Sequence, residues 1–349
     1  MPPKIRVLIV DDSVVVRRLL VDALGEHPDL LVVGTAPNGQ IALAKLESTP
    51  ADLVTLDVEM PVMDGLETLA AIRRRFPRLP VFMFSSQTRR AAAATIEALT
   101  LGANDYVAKP EGAGGVASAR ARIHEELVPK IRALCRQAAP VVEDVVLGTL
   151  SGARARPVTA IAIGVSTGGP LALARILSAL PADLPVPVFI VQHMPPKFIT
   201  LLAARLAQTC RLPVIEVKEP TRALAGSVYL APGDAHLTVD ARAGGPMLGL
   251  DRGPLENSCR PAVDVLFRSV AATYGDGALA IVLTGMGNDG VRGCDYVRAR
   301  GGHVIVQDQA SSVVWGMPGS VVRAGLANQI VSIGDICSVT LPRLTRMSG

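Results

Sequence analysis

No stretch of the 349 residues approaches the roughly 18 to 20 consecutive apolar positions of a membrane-spanning helix, although 49% of the chain is hydrophobic. The expectation is a soluble protein with no membrane insertion. The opening apolar stretch, ending at Val10, runs straight into Asp11 and Asp12 without a cleavage site, so no secretory signal is read there and a cytoplasmic location is expected. Cysteine is sparse: Cys135, Cys210, Cys259, Cys294 and Cys337 are odd in number, scattered, and form no C-x-x-C pair. That pattern argues against a disulfide framework or a zinc site and for reduced thiols. Basic character is thin as well. The formal charge is +4, the arginine-rich stretches are short and lack interleaved aromatics, and no basic helix-turn-helix follows Pro157. Nucleic acid is therefore not an expected partner. Repeats and low-complexity tracts are also lacking.

The length suits two domains, each able to bury its own core. Short β-branched runs at 5–10, 30–34, 53–56, 81–84 and 106–108 alternate with amphipathic stretches. This rhythm predicts a parallel sheet flanked by helices on both faces, with ligands at the strand C-termini. A helix over 116–136, with Ile123, Leu127, Ile131 and Leu134 on its apolar face, closes a first domain at 1–136. Periodicity is then lost among Ala, Pro, Gly and Arg, which reads as a linker over 137–156. Runs at 158–163, 186–191, 227–230, 279–283 and 303–306 predict a second α/β domain over 157–349. Within it, short runs between Ser227 and Leu250, separated by Pro232-Gly233 and Gly244-Gly245, suggest antiparallel strands at a sheet edge.

In the first domain, Asp11 and Asp12 follow the first strand, Asp57 closes the third, Ser85 the fourth and Lys109 the fifth. Three carboxylates at one sheet edge repel one another unless a hard divalent cation neutralises them, and Mg²⁺ suits such a site. A carboxylate beside that metal can act as nucleophile toward a phosphoryl donor, with Lys109 and the Ser85 hydroxyl binding the transferred oxygens. Asp57 is the expected phosphoacceptor. Taken singly, the acids have a plainer reading as helix caps and the lysine as a solvated residue. The case rests on the strand ends together and on Met60-Pro61-Val62-Met63-Asp64-Gly65 beyond Asp57. This part of the chain resembles the response-regulator receiver family. The resemblance implies a flavodoxin-like fold and phosphate received from a sensor histidine kinase, with Ser85 and Tyr106 at positions that report the phosphorylated state.

In the second domain, Gly164-Val165-Ser166-Thr167-Gly168 follows the first strand and satisfies G-x-S-x-G. Such a turn exposes a serine and frees backbone N–H groups to bind an oxyanion. It equally describes a glycine-rich turn that binds phosphate at a helix N-terminus. A nucleophilic serine needs a histidine base and an orienting carboxylate. Of five histidines, His193 alone closes a strand, within Gln192-His193-Met194-Pro195, and Asp289 follows the strand at 279–283. The chain order Ser, His, Asp differs from the α/β-hydrolase order Ser, acid, His. Gly285-x-Gly287-x-x-Gly290 also matches a dinucleotide fingerprint, with Asp308 about 20 residues on. Against that reading, Asp289 puts a carboxylate where a pyrophosphate has to lie.

Five segments carry a second resemblance: Ser166-Thr167-Gly168-Gly169-Pro170, Gln192-His193-Met194-Pro195, Leu230-Ala231-Pro232-Gly233, Leu283 through Gly290, and Trp315-Gly316-Met317-Pro318. They are similar to the catalytic domain of chemotaxis protein-glutamate methylesterases, and the whole chain looks like a receiver followed by that esterase. The resemblance implies a doubly wound, Rossmann-like second domain with an antiparallel edge hairpin. It also implies hydrolysis of glutamate γ-methyl esters on methylated chemoreceptors through Ser166, His193 and Asp289, releasing methanol, with deamidation of receptor glutamines as a secondary activity. The Thr167 and Met286 N–H groups are candidates for the oxyanion hole. No cofactor is expected at the esterase site. Val165 and Gln87 depart from the residues common in these families, alanine and leucine, without touching the expected chemistry. Phosphorylation is expected to relieve inhibition by the receiver. The alternative is a non-catalytic, phospho-dependent signalling adapter.

Overall fold

The β-branched runs become strands of two parallel sheets, most of them buried. The structure, a computed structural model, describes residues 3–86, 88–109, 115–135 and 157–344, leaving Gln87 and the segment read as a linker, 137–156, outside the described residues. The chain divides into two units, Met1–Ala138 and Ala139–Gly349.

The first unit runs β1 (Ile5–Val10), α1 (Val14–Gly25), β2 (Leu30–Ala36), α2 (Gly39–Ser48), β3 (Leu53–Asp57), α3 (Gly65–Arg75), β4 (Val81–Ser85), α4 (Arg89–Thr100), β5 (Asp105–Ala108), α5 (Gly115–Arg122), a π-helical turn (Ile123–Leu127) and α6 (Val128–Cys135). The strands are all parallel, in the order β2-β1-β3-β4-β5. Strand β3 is central and buried along its whole length, which is why it reads as a continuous apolar run ending in one acid. Helix starts follow their capping chemistry. Ser13, Asn38 and Thr88 each accept an N–H of the first turn, and Asp64 and Glu67 form a reciprocal capping box on α3. The final helix lies where periodicity placed it, with one change. A π turn inserts an extra residue, so that Leu127 and Val128 both reach the core beside Ile123 and Ile131.

The second unit runs β6 (Ala160–Val165), α7 (Gly169–Ala179), β7 (Val188–Gln192), α8 (Pro196–Ala207), β8 (Val214–Glu216), β9 (Thr221–Arg222), β10 (Val228–Leu230), β11 (His236–Asp240), β12 (Met247–Asp251), α9 (Val263–Tyr274), β13 (Ala278–Val282), α10 (Val291–Ala299), β14 (His303–Gln307), α11 (Met317–Arg323), β15 (Gln329–Val331) and α12 (Ile336–Thr340). Seven strands form a parallel sheet in the order β15-β14-β13-β6-β7-β10-β8. From β6 the chain steps to β7 on one side and later returns to β13 on the other, which makes the β6 end a topological switch point. Among the described residues of both units, no helix is long and apolar enough to cross a membrane.

The antiparallel strands are present, but their place differs from the expectation of a sheet edge. β10 lies inside the parallel sheet, between β7 and β8, while β11, β12 and β9 form a separate three-stranded antiparallel sheet. The reason is apolar alternation. Leu237 and Val239 of β11 and Leu248 of β12 turn inward to join Leu266, Phe267 and Val270 of α9 in one core. Hydrogen bonds from Val239 N to Ser269 Oγ at 3.1 Å and from Thr273 Oγ1 to Val239 O at 2.7 Å fasten the hairpin to that helix.

Candidate active site

At the C-terminal edge of the first sheet, Asp11 lies just past β1, Asp57 and Ser85 end β3 and β4, and Lys109 lies just past β5. The parallel pairing brings these ends together, and the Lys109 ammonium lies 2.7 Å from both Asp11 Oδ2 and Asp57 Oδ2. Asp57 is only 4% exposed. Burial, helped by Asp11, pushes its carboxyl up to about 6 against the pull of Lys109. Burial likewise raises Asp11, whereas the two carboxylates outweigh burial at Lys109 and raise it. Carboxylate oxygens of Asp11, Asp12 and Asp57 lie within 4.8 Å of one another. Three acids share this pocket with one ammonium, so the residues present fit a hard divalent cation with oxygen ligands. The Ser85 hydroxyl turns to the Ser86 carbonyl at 3.1 Å, and Tyr106 is buried beneath Lys130, whose ammonium lies 5.6 Å from the ring centre.

In the second unit, Ser166 and His193 are the first residues past the adjacent strands β6 and β7. The last ladder pair is Val165 with Gln192, so Ser166 and His193 follow at the same level. Gln192 fastens both turns: its side-chain amide Nε2 donates to Ser166 O at 3.1 Å and to His193 O at 3.2 Å. A Cβ on Gly169 would fall 1.9 Å from Gln192 Oε1, so the second glycine of the turn makes room for that brace. Sequence reading placed Gln192 in a motif and gave it no role.

Asp289, 2% exposed, lies beyond β13 on the other side of β6. Its carboxylate takes five hydrogen bonds. Oδ2 accepts from His193 Nε2 at 2.8 Å and Val263 N at 2.7 Å, while Oδ1 accepts from Asn257 Nδ2 at 2.8 Å, Gly290 N at 2.9 Å and Asp264 N at 3.0 Å. Two of these donors are the first N–H groups of α9, which attract an anion through the positive end of the helix dipole. Gly164 allows that approach, because a Cβ there would lie 2.3 Å from Val263 Cγ1. Burial alone would raise the Asp289 carboxyl, but His193 and the backbone donors hold it below the ordinary carboxylate range. Burial would likewise lower His193, yet Asp289 and the Cys259 sulfur outweigh it and raise the imidazole to about 9.

Cys259, set aside as one of the scattered thiols, places Sγ 3.8 Å from His193 Nδ1. The structure thus joins His193 to Asp289, whereas among the described residues the Ser166 hydroxyl makes no hydrogen bond to the imidazole. His193, Cys259 and Asp289 bring ligand-type atoms within 4.8 Å of one another, but N–H donors already fill the carboxylate. The same occupancy bears on the dinucleotide fingerprint, since Asp289 takes the donors of the turn and of the α9 N-terminus. Of the oxyanion candidates, Thr167 is buried and its carbonyl accepts from Thr284 Oγ1 at 2.9 Å, while the Met286 N–H has no partner among the described residues. His236, outside this group, is a buried brace between Pro254 O at 3.0 Å and Ala262 N at 3.1 Å.

Comparison with known proteins gives the same division. The family described as CheB methylesterase matches residues 161–339, and the response regulator receiver domain matches residues 7–119. A protein-glutamate methylesterase/protein-glutamine glutaminase of Trichodesmium erythraeum is 48% identical over 98% of this chain and 99% of its own length. One of the same name from a Nocardioides species is 47% identical over 99% of this chain and 96% of its own. The crystal structure of the Thermotoga maritima CheB methylesterase catalytic domain is 40% identical, with a TM-score of 0.52, and covers 53% of this chain and 98% of that one. With strand ends, motifs and near full-length relatives in agreement, the chain belongs to the CheB methylesterase family and carries a response regulator receiver domain ahead of its methylesterase domain.

Proposed function

We propose that this protein hydrolyses glutamate γ-methyl esters on the cytoplasmic domains of chemoreceptors, releasing methanol, and that phosphorylation of Asp57 by a sensor histidine kinase raises this activity. The observation that carries the reading is the buried Asp289–His193 hydrogen bond at 2.8 Å, one strand end from Ser166. Asp289 engages Nε2, so Nδ1 is the nitrogen left to serve the serine. Ser166 Oγ attacks the ester carbonyl, and Nδ1 takes its proton, displacing the Cys259 contact. The N–H groups of Thr167 or Met286 receive the oxyanion. The imidazolium, steadied by Asp289, returns the proton to the leaving methoxide as methanol departs. Water, deprotonated by the same imidazole, then cleaves the acyl-enzyme and restores Ser166. The names of the relatives favour a second substrate, the side-chain amide of glutamine, for which the same steps release ammonia.

In the receiver, Asp11, Asp12 and Asp57 would hold Mg²⁺, which offsets negative charge between the carboxylate nucleophile and the phosphoryl oxygens. Asp57 accepts the phosphoryl group, while Lys109 and the Ser85 hydroxyl bind its oxygens. The test is methanol release from methylated chemoreceptor membranes by the wild type and Ser166→Ala, with and without a small-molecule phosphodonor and Mg²⁺. Release that the phosphodonor stimulates and the substitution abolishes supports both halves. Equal release by Ser166→Ala sinks the nucleophile assignment.

A further inference from the structure

The loop before α9 holds the acid of the hydrolytic site from a second direction. Asn257 adopts φ +52°, in the left-handed region where asparagine is tolerated better than most residues. Its Nδ2 donates at 2.8 Å to Asp289 Oδ1 and at 2.8 Å to Asp264 Oδ2. Asp264 is 1% exposed, and its other oxygen accepts the Gly293 N–H at 2.6 Å. One carboxamide therefore spans two buried carboxylates, using both of its hydrogens. The turn is anchored independently: Glu256 and Cys259 exchange backbone hydrogen bonds at 3.1 and 2.9 Å, and Glu256 forms a bidentate pair with Arg268 at 2.6 and 2.7 Å. The same turn carries Cys259, so residues 256–259 address both ends of the His193–Asp289 pair.

We infer that Asn257 is a positioning residue for the hydrolysis: by donating to Asp289 and separating it from Asp264, it aims the carboxylate at His193 and limits how tightly the imidazole keeps its proton. The physical ground is the donor–acceptor balance. A carboxylate stripped of one N–H donor and left beside a second negative charge becomes more basic, and a hydrogen-bonded imidazole then holds its own proton harder. The base would stay protonated to higher pH. An aspartate at 257 would exaggerate the effect by replacing a donor with a third carboxylate. The inference rests on the assignment of Ser166, His193 and Asp289 above.

The experiment is the pH profile of kcat and KM for methanol release by the phosphodonor-treated full chain, comparing wild type, Asn257→Gly, Asn257→Asp, Asn257→Asp with Asp264→Asn, and Ser166→Ala. Glycine suits the left-handed backbone and deletes the amide, while aspartate keeps shape and turn preference should the glycine variant fold poorly. The expected result is an ascending limb moved to higher pH in Asn257→Gly and further in Asn257→Asp. Activity at neutral pH then falls about tenfold per unit of displacement and recovers in alkali, with KM little changed. Adding Asp264→Asn to Asn257→Asp moves the limb back. A loss of equal size at every pH, or no loss, overturns the inference while Ser166→Ala remains inactive. An active Ser166→Ala would instead overturn the nucleophile assignment beneath it.

Discussion

Two buried aspartates, Asp57 and Asp289, lie at the C-terminal edges of two parallel sheets, yet their surroundings drive them in opposite directions. Asp57 has an ammonium and one N–H, from Val58 at 2.7 Å, and shares its pocket with Asp11. Its carboxyl rises to about 6, chiefly through burial. Asp289 is just as buried but is met by five donors, and its carboxyl falls. Burial by itself therefore does not settle how such a group behaves. The one short of donors suits a cation and a transferred phosphoryl group, while the one saturated with them is a fixed anion that orients a histidine.

Asp289→Asn breaks the comparison most severely. It leaves geometry nearly intact but removes the charge that, in the proposed mechanism, steadies the imidazolium, so turnover in the methanol-release assay should fall by roughly 10³- to 10⁴-fold. Phosphate uptake by Asp57, followed with a radiolabelled small-molecule donor, should not change.

The next effect concerns the receiver's acid. In the proposed reaction the carboxylate form of Asp57 is the nucleophile, so phosphate uptake should rise with pH, and a bound divalent cation should bring that rise below the value of about 6 that burial sets in the metal-free pocket. Lys109→Ala removes the group that pulls this carboxyl down, so the rise should move to higher pH and the maximum should drop. An unmoved limb would show that Lys109 contributes little to the ionisation of Asp57.

A smaller effect is expected on the base of the hydrolytic site. In the proposed mechanism neutral His193 is the active form, so esterase activity should climb with pH toward about 9. Cys259 helps to raise that imidazole, and Cys259→Ala should move the climb to lower pH, favouring activity near neutrality. A limb displaced the other way would mean that the thiol assists proton removal instead. Smallest is Asp64→Ala, which removes the side-chain acceptor of the capping box on α3 while Glu67 can still accept the backbone N–H of residue 64, and should cost about 1 kcal/mol of receiver stability in urea titration. The esterase unit should keep its own transition midpoint.

Much of this was legible one residue at a time. Parallel strands buried on both faces read as apolar runs, and the groups they present sit at the strand ends, so Asp57, Ser85, Lys109, Ser166 and His193 could be picked out by position. The antiparallel hairpin was legible as a hairpin but not in its placement, because alternation shows which face is buried without showing against what. Asn257, Asp264 and Cys259 gave no comparable signal. They precede or open a helix far from Asp289 in the chain, and their roles arise only when α9 packs beside β6 and brings its N-terminus to the acid.

The sequence by itself determined the two α/β domains, the family resemblance and the candidate nucleophile, base, acid and phosphoacceptor, because hydrophobic periodicity and strand-end motifs are local properties of the chain. Only the tertiary structure decided which imidazole nitrogen faces Asp289, which donors surround that carboxylate and where the hairpin lies. Hydrogen-bond partnership and burial are set by segments distant in sequence, and through them the fold makes one buried aspartate easier to protonate and the other harder.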